Sequence, residues 1–170
     1  MPDTWTVVTG GQPAWGDCCS HALRMAEAFW KLGHKILYIE CGGDKKRFRR
    51  ALDRRKQRAH TVFADLERRG FFVMRASQLP GLPVSFPEPV RRWNSFRTSA
   101  RAARFLAASN AARVLAFHYN WFFHDLFASA RETVRHIYEC TDDHTKAPDV
   151  IDRRLIRRHM AKAERRLLRK

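Results

Sequence analysis

The sequence predicts an α/β domain built on a doubly wound parallel sheet, and three observations carry that expectation. Short apolar runs that do not alternate recur along the chain, as in Ile36-Leu37-Tyr38-Ile39, and a strand without alternation needs cover on both faces, as strands of a parallel sheet have. Helical periodicity precedes that run: Ala22, Met25, Ala26, Phe29 and Leu32 follow i, i+3, i+4, i+7 spacing, while Arg24, Glu27 and Lys31 fall elsewhere. Gly33 then stops the helix, because glycine accepts a left-handed backbone without a Cβ clash.

Taken in order, TWTVV around Trp5 is a β-prone run, and TGGQPAWGD after it is rich in turn formers. With the helix and the run at 36–39 it makes one right-handed βαβ unit. Residues 41–70 open on a glycine break and continue as a strongly basic segment with few apolar anchors, Phe48, Leu52, Val62, Phe63 and Leu66. One or two exposed helices ending at Gly70 are expected there. FFVMRA, from Phe71 to Ala76, is a third strand. Ser77 to Pro89 holds four prolines, each fixing φ and removing a donor, so it is expected as a loop exposed at one end of the sheet. VRRWNSFRTSARAARFLAASN follows as a helix with Val90, Trp93, Phe96, Ala100 and Phe105 inward. RVLAFHYN is a fourth strand, WFFHDLFASA a short helix and TVRHIYEC a fifth strand; from about Pro148 the chain reads helical to Lys170. The sheet should have five or more strands, centred on residues 5–9 and 36–39. Residues 1–170 read as one domain without internal repeats, and the last helix, with no glycine stop and no strand after it, reads like the end of the first half of a larger architecture.

Composition narrows the function classes. With 170 residues, 45% hydrophobic and 12% aromatic, the chain has enough apolar surface to fold. Its net charge of +16 favours polyanions: nucleic acid, an anionic lipid surface or phosphorylated substrates. Part of that excess is ordinary solvation of helix faces, with arginine outnumbering lysine 25 to 8. Cys18, Cys19, Cys41 and Cys140 contain no C-x-x-C pair, so neither a disulfide framework nor a zinc knuckle is indicated, and a reducing cytoplasm fits best. No signal segment and no run of about 18 apolar residues is present, so any membrane contact is peripheral.

In an open α/β sheet, ligands meet the loops at the carboxyl ends of the strands. Those ends carry Gly10, Gly11, Asp17, Glu40, His118, Tyr119, Asn120, Cys140, Asp142 and Asp143. Gly10, Gly11 and Gly16 stand at the wrong spacing for the G-x-G-x-x-G dinucleotide fingerprint, and no Walker-type phosphate loop exists. His118 directly follows a buried apolar strand, which suits a rigidly held acid–base group, although a strand-capping histidine has the same sequence signature. CTDDH suits helix capping or hydroxyl binding better than a metal, since adjacent loop side chains rarely converge on one ion. His21, near the start of the first helix, is positioned for the same cleft or for a structural role.

WGDCCSHALRMAEAFWKLGHKILYIE resembles the opening of bacterial GT-B retaining glycosyltransferases, and most of all the subgroup that acts in exopolysaccharide and teichuronic-acid-type synthesis. LPGLP, VRRWN and IYECTDDH agree with that subgroup in order. The first loop departs from it, carrying Asp17-Cys18-Cys19-Ser20 where arginine-glutamine-arginine-proline is common. The resemblance implies a Rossmann-like amino-terminal half of a GT-B enzyme, binding a sugar acceptor and lacking the carboxy-terminal domain that binds the nucleotide sugar. Such a chain would be inactive alone and would be completed by a donor-binding domain or partner chain. The resemblance also implies a hexosyl transfer to a cell-surface glycan or lipid-linked acceptor, with no metal or other cofactor. Gly10, Gly11 and Gly16 would approach the donor phosphates or the sugar, with Asp17, His21, Tyr119, Asn120, Asp142 and Asp143 around the substrate and His118 near the reacting centre. The expected location is cytoplasmic, peripheral on the inner face of the membrane, with the basic runs 45–58 and 153–158 attracting anionic headgroups; Phe71-Phe72 and Trp121-Phe122-Phe123 could anchor that contact, but their positions in or beside strands favour the core. The alternatives are a non-catalytic remnant or interaction subunit of the same fold, and a basic nucleic-acid-binding module. The latter would bind through charge without sequence preference, since no readout motif is present.

Overall fold

The non-alternating apolar runs become the parallel strands of one sheet. The computed structural model describes residues 4–11, 21–40, 63–64, 69–76, 88–118, 134–139, 158, 161–162 and 165. The elements are β1 (Thr6–Gly11), α1 (His21–Lys31), β2 (Lys35–Glu40), β3 (Phe63–Ala64), β4 (Phe71–Arg75), α2 (Glu88–Ala108), β5 (Val114–His118) and β6 (Val134–Tyr138). They form a six-stranded sheet in the order β3-β4-β2-β1-β5-β6. β4, β2, β1, β5 and β6 run parallel, and β3 lies antiparallel on β4 at the edge. β1 and β2 hold the middle, as their burial on both faces requires.

Successive side chains of a strand point to opposite faces, and the core divides accordingly. Val7, Ile36, Tyr38, Phe71, Val73 and Phe117 face α1, which contributes Ala22, Leu23 and Ala26. Val8, Leu37, Ile39, Met74, Ala116 and Val134 face α2, which contributes Ala102 and Leu106. Helices therefore cover both faces, and the architecture is the expected doubly wound α/β sheet. Each fully buried Val, Ile or Leu in it contributes about 1.5–3 kcal/mol.

Both helices close by the same device. At the end of α1, Gly33 N–H donates to Trp30 O at 2.9 Å and His34 N–H to Phe29 O at 3.2 Å, with Gly33 at φ 88°. At the end of α2, Asn110 N–H donates to Ala107 O at 3.1 Å and Ala111 N–H to Leu106 O at 3.0 Å, with Asn110 at φ 50°. Nothing lies within 4 Å of a Cβ built on Gly33, so Gly33→Ala is expected to cost only the left-handed backbone, about 1 kcal/mol. Urea denaturation checks this, and an unchanged midpoint would contradict it.

Two expectations are corrected. Phe63 and Ala64, expected within a helix ending at Gly70, form a two-residue strand paired with Val73 and Phe72. On α2, Trp93 (41% exposed) and Phe96 (71%) face outward, and the inner stripe is Asn94, Ser95, Thr98, Ala102 and Leu106. The carboxy-terminal half sets that rotation, because Ala102 and Leu106 allow close approach and Phe105 meets Phe72 edge to face at 4.9 Å. A helix is rigid, so its first turns inherit the rotation and turn a polar stripe inward. The helix also starts two residues early, at Glu88, with Pro89 in the first turn where a missing N–H costs nothing. Arg158, Ala161, Lys162 and Arg165 are helical, as expected. The expected helices over 41–62 and 121–130 and the loop over 77–87 lie outside the described residues.

Candidate functional site

β1 lies between β2 and β5, the chain leaving β1 for β2 on one side and β5 for β6 on the other. Connections that diverge in this way open a crevice beyond the carboxyl ends of the two strands, the ligand position of open α/β sheets. The residues brought to that edge are Gly10 and Gly11 from β1, His118 from β5, Glu139 just after β6, Glu40 from β2 and Arg75 from β4.

Each has a local reason to be there. A Cβ on Gly10 would stand 2.4 Å from Ile39 O, so the approach of β1 to β2 at this end requires glycine. His118 is 4% exposed. The β5–β6 register sets Ala116 beside His136 and His118 beside Tyr138, so the two histidines share the face that carries α2. His118 Nε2 and His136 Nδ1 are 2.9 Å apart, with the rings within 8° of parallel and their centroids 5.2 Å apart. One ring must donate and the other accept, so each histidine fixes the tautomer of the other.

On the other side, His21 opens α1 and its Nε2 lies 2.9 Å from Glu139 Oε1, a contact across 118 residues of sequence. Both side chains are partly exposed, so the bond contributes little stability and chiefly fixes position. A carboxylate at the start of a helix also meets the positive end of its dipole. Glu139 N–H donates to His118 O at 3.0 Å, which ties this pair to the histidine pair. Thr9 Oγ1 and Glu139 Oε2 are buried and find no hydrogen-bond partner among the described residues, groups that a polar ligand would satisfy.

Glu40 and Arg75 stand side by side in register at the ends of β2 and β4. Burial pushes the Arg75 guanidinium below its ordinary range, and the neighbouring Glu40 carboxylate opposes that shift. Arg101 on α2 donates from Nη1 to Arg75 O at 2.9 Å, and its guanidinium is also lowered, first by burial and then by Arg104 and Arg97. Asn94, Ser95 and Thr98 are each at most 2% exposed, on the part of α2 that leaves the carboxyl end of β4. They add buried hydrogen-bonding groups on the face of the histidine pair.

Of the residues singled out from sequence, the structure gathers Gly10, Gly11, His21 and His118 at one edge of the sheet. Gly16, Asp17, Tyr119, Asn120, Asp142 and Asp143 lie outside the described residues. Sequence reasoning missed His136, Glu139, Arg75 and the Asn94–Thr98 stripe. His136 had a usable signal: in TVRHIYEC, Val134, His136 and Tyr138 alternate onto one face. A pocket of about 390 Å³ is lined by Trp5 and His34, which precede β1 and β2, and by Leu115 of β5 and Arg135, His136 and Ile137 of β6, so it shares His136 with this site. Among the described residues, no three His, Cys, Asp or Glu side chains are grouped to hold a metal ion. The chain matches no protein-family model, and no curated protein matches it.

Proposed function

We propose that the chain is the acceptor-side domain of a glycosyltransferase that moves a sugar from a nucleotide sugar to a cell-surface glycan or lipid-linked acceptor. The observation that carries this reading is the His118–His136 pair at the carboxyl edge of the sheet, with His118 buried beside a strand that ends in Gly10-Gly11. A polyhydroxylated ligand needs many short polar contacts and room for its ring close to backbone. Gly10 and Gly11 present backbone without side chains at this edge, and His118, Glu139, Thr9 and the Asn94–Thr98 stripe supply donors and acceptors around it. In this reading His118 exchanges a proton at a reacting hydroxyl, and His136 holds its ring in one orientation.

Ring-nitrogen NMR of the histidines tests the proposal, with glycan fragments as one titrant and uridine or guanosine diphosphate sugars as the other. Glycan fragments are expected to shift the His118 and His136 signals saturably, while the nucleotide sugars bind the isolated domain weakly. Absence of any shift with glycans, or shifts caused only by nucleic acid, would overturn it.

A further inference from the structure

The outer face of α2 is built against the usual rule for a surface helix. Its buried side carries Asn94, Ser95 and Thr98, while two of its three large aromatics, Trp93 and Phe96, stand 41% and 71% exposed. Arginines flank them: Arg92 and Arg97 are exposed, and the Arg97 guanidinium lies 5.1 Å from the Trp93 ring centre. Arg104 continues the same stripe toward the carboxy-terminal end, between Ala100, Ala103 and Ala107. Packing against the sheet does not call for this arrangement, since the inner stripe already anchors the helix.

From this face we infer a docking surface for an anionic lipid bilayer, independent of the sugar-transfer reading. The charge of the whole chain, +16, fixes the sign of the partner. The apolar content fixes its kind. Two aromatic side chains and a row of alanines fall well short of the roughly 800 Å² per partner that a stable protein interface buries. They match a shallow interfacial contact, in which indole and phenyl rings sit at headgroup depth and guanidinium groups pair with phosphates. No helix among the described residues is long and apolar enough to cross a membrane, so the contact lies on the surface. Of the aromatics that the sequence offered as anchors, Phe71 is fully buried and Phe72 packs on Phe105, the core role that their strand position favours, while Trp121, Phe122 and Phe123 lie outside the described residues. Because α2 leaves the carboxyl end of β4, its aromatic first half borders the edge that holds His118. The surface places the crevice next to the lipid phase.

Sedimentation with phosphatidylcholine vesicles, with and without phosphatidylglycerol, decides the matter. The chain is expected to pellet with anionic vesicles at low salt, to dissociate as salt rises, and to ignore neutral ones. Trp93→Ser with Phe96→Ser, and separately Arg92→Gln with Arg97→Gln, should each weaken partitioning about tenfold. Arg113→Gln with Arg135→Gln, whose guanidinium groups lie over Trp5 at the amino ends of the strands, removes the same charge and should weaken it only about twofold. Circular dichroism confirms folding of each variant, all of whose changes are at exposed positions. Equal partitioning of the α2 variants and the wild type would overturn the inference. So would equal loss from the Arg113/Arg135 control, or a wild type that stays in the supernatant with anionic vesicles.

Discussion

Gly10→Ala is expected to destabilise the domain by about 3 kcal/mol, a large part of the 5–15 kcal/mol that domains of this size possess. The added methyl would stand 2.4 Å from Ile39 O and 3.0 Å from Ile39 Cβ, closer than a real Cβ approaches backbone. Neither neighbour is the flexible end of a side chain. Relief requires β1 and β2 to separate, and these are the middle strands, with Val7, Val8, Ile36, Leu37, Tyr38 and Ile39 all fully buried around them. Separating them opens space on both faces at once, and the loss of packing adds to the strain. Urea denaturation of Gly10→Ala beside Gly33→Ala separates the two glycine roles, close approach and left-handed backbone. A Gly10→Ala midpoint no lower than that of Gly33→Ala would show that the strands yield more easily than the contact indicates.

The second large effect is on turnover. On the proposed sugar-transfer reading, with the enzyme completed by a donor-binding domain, His118→Ala is expected to lower kcat by about a hundredfold with a much smaller change in acceptor KM, because a proton transferred by His118 would act in the transition state and not in ground-state binding. The same substitution removes the 2.9 Å hydrogen bond to His136, which by itself costs about 1–3 kcal/mol of stability. His118→Gln separates these two consequences. Its amide can restore a hydrogen bond to His136 but cannot exchange a proton at neutral pH, so stability should recover while turnover stays low. Full recovery of turnover in His118→Gln would return His118 to a purely structural role.

The two tests probe parts of the chain that differ in how far the sequence revealed them. Strands were legible because burial on both faces leaves a run such as Ile36–Ile39 with no alternation, and the end of α1 was legible because Gly33 serves a backbone conformation set locally. His118 was legible as a polar residue ending an apolar strand. The rotation of α2 was not legible. Its aromatics and arginines fit two helical faces almost equally well, and the choice came from Ala102, Leu106 and Phe105 against β-strand residues far away in the chain. Nor could local sequence reveal β3, a pair of residues whose strand character exists only because β4 offers an open edge.

The site divides in the same way. The sequence by itself determined the parallel α/β class, the glycines that end β1 and the histidine that ends β5, since each depends on a periodicity or a backbone preference confined to a few neighbouring residues. Only the tertiary structure decided that His136 would lie 2.9 Å from His118 and that Glu139 would reach back to His21. Those contacts follow from strand order and register, which are fixed by packing the whole sheet between its helices, and no local spacing encodes them.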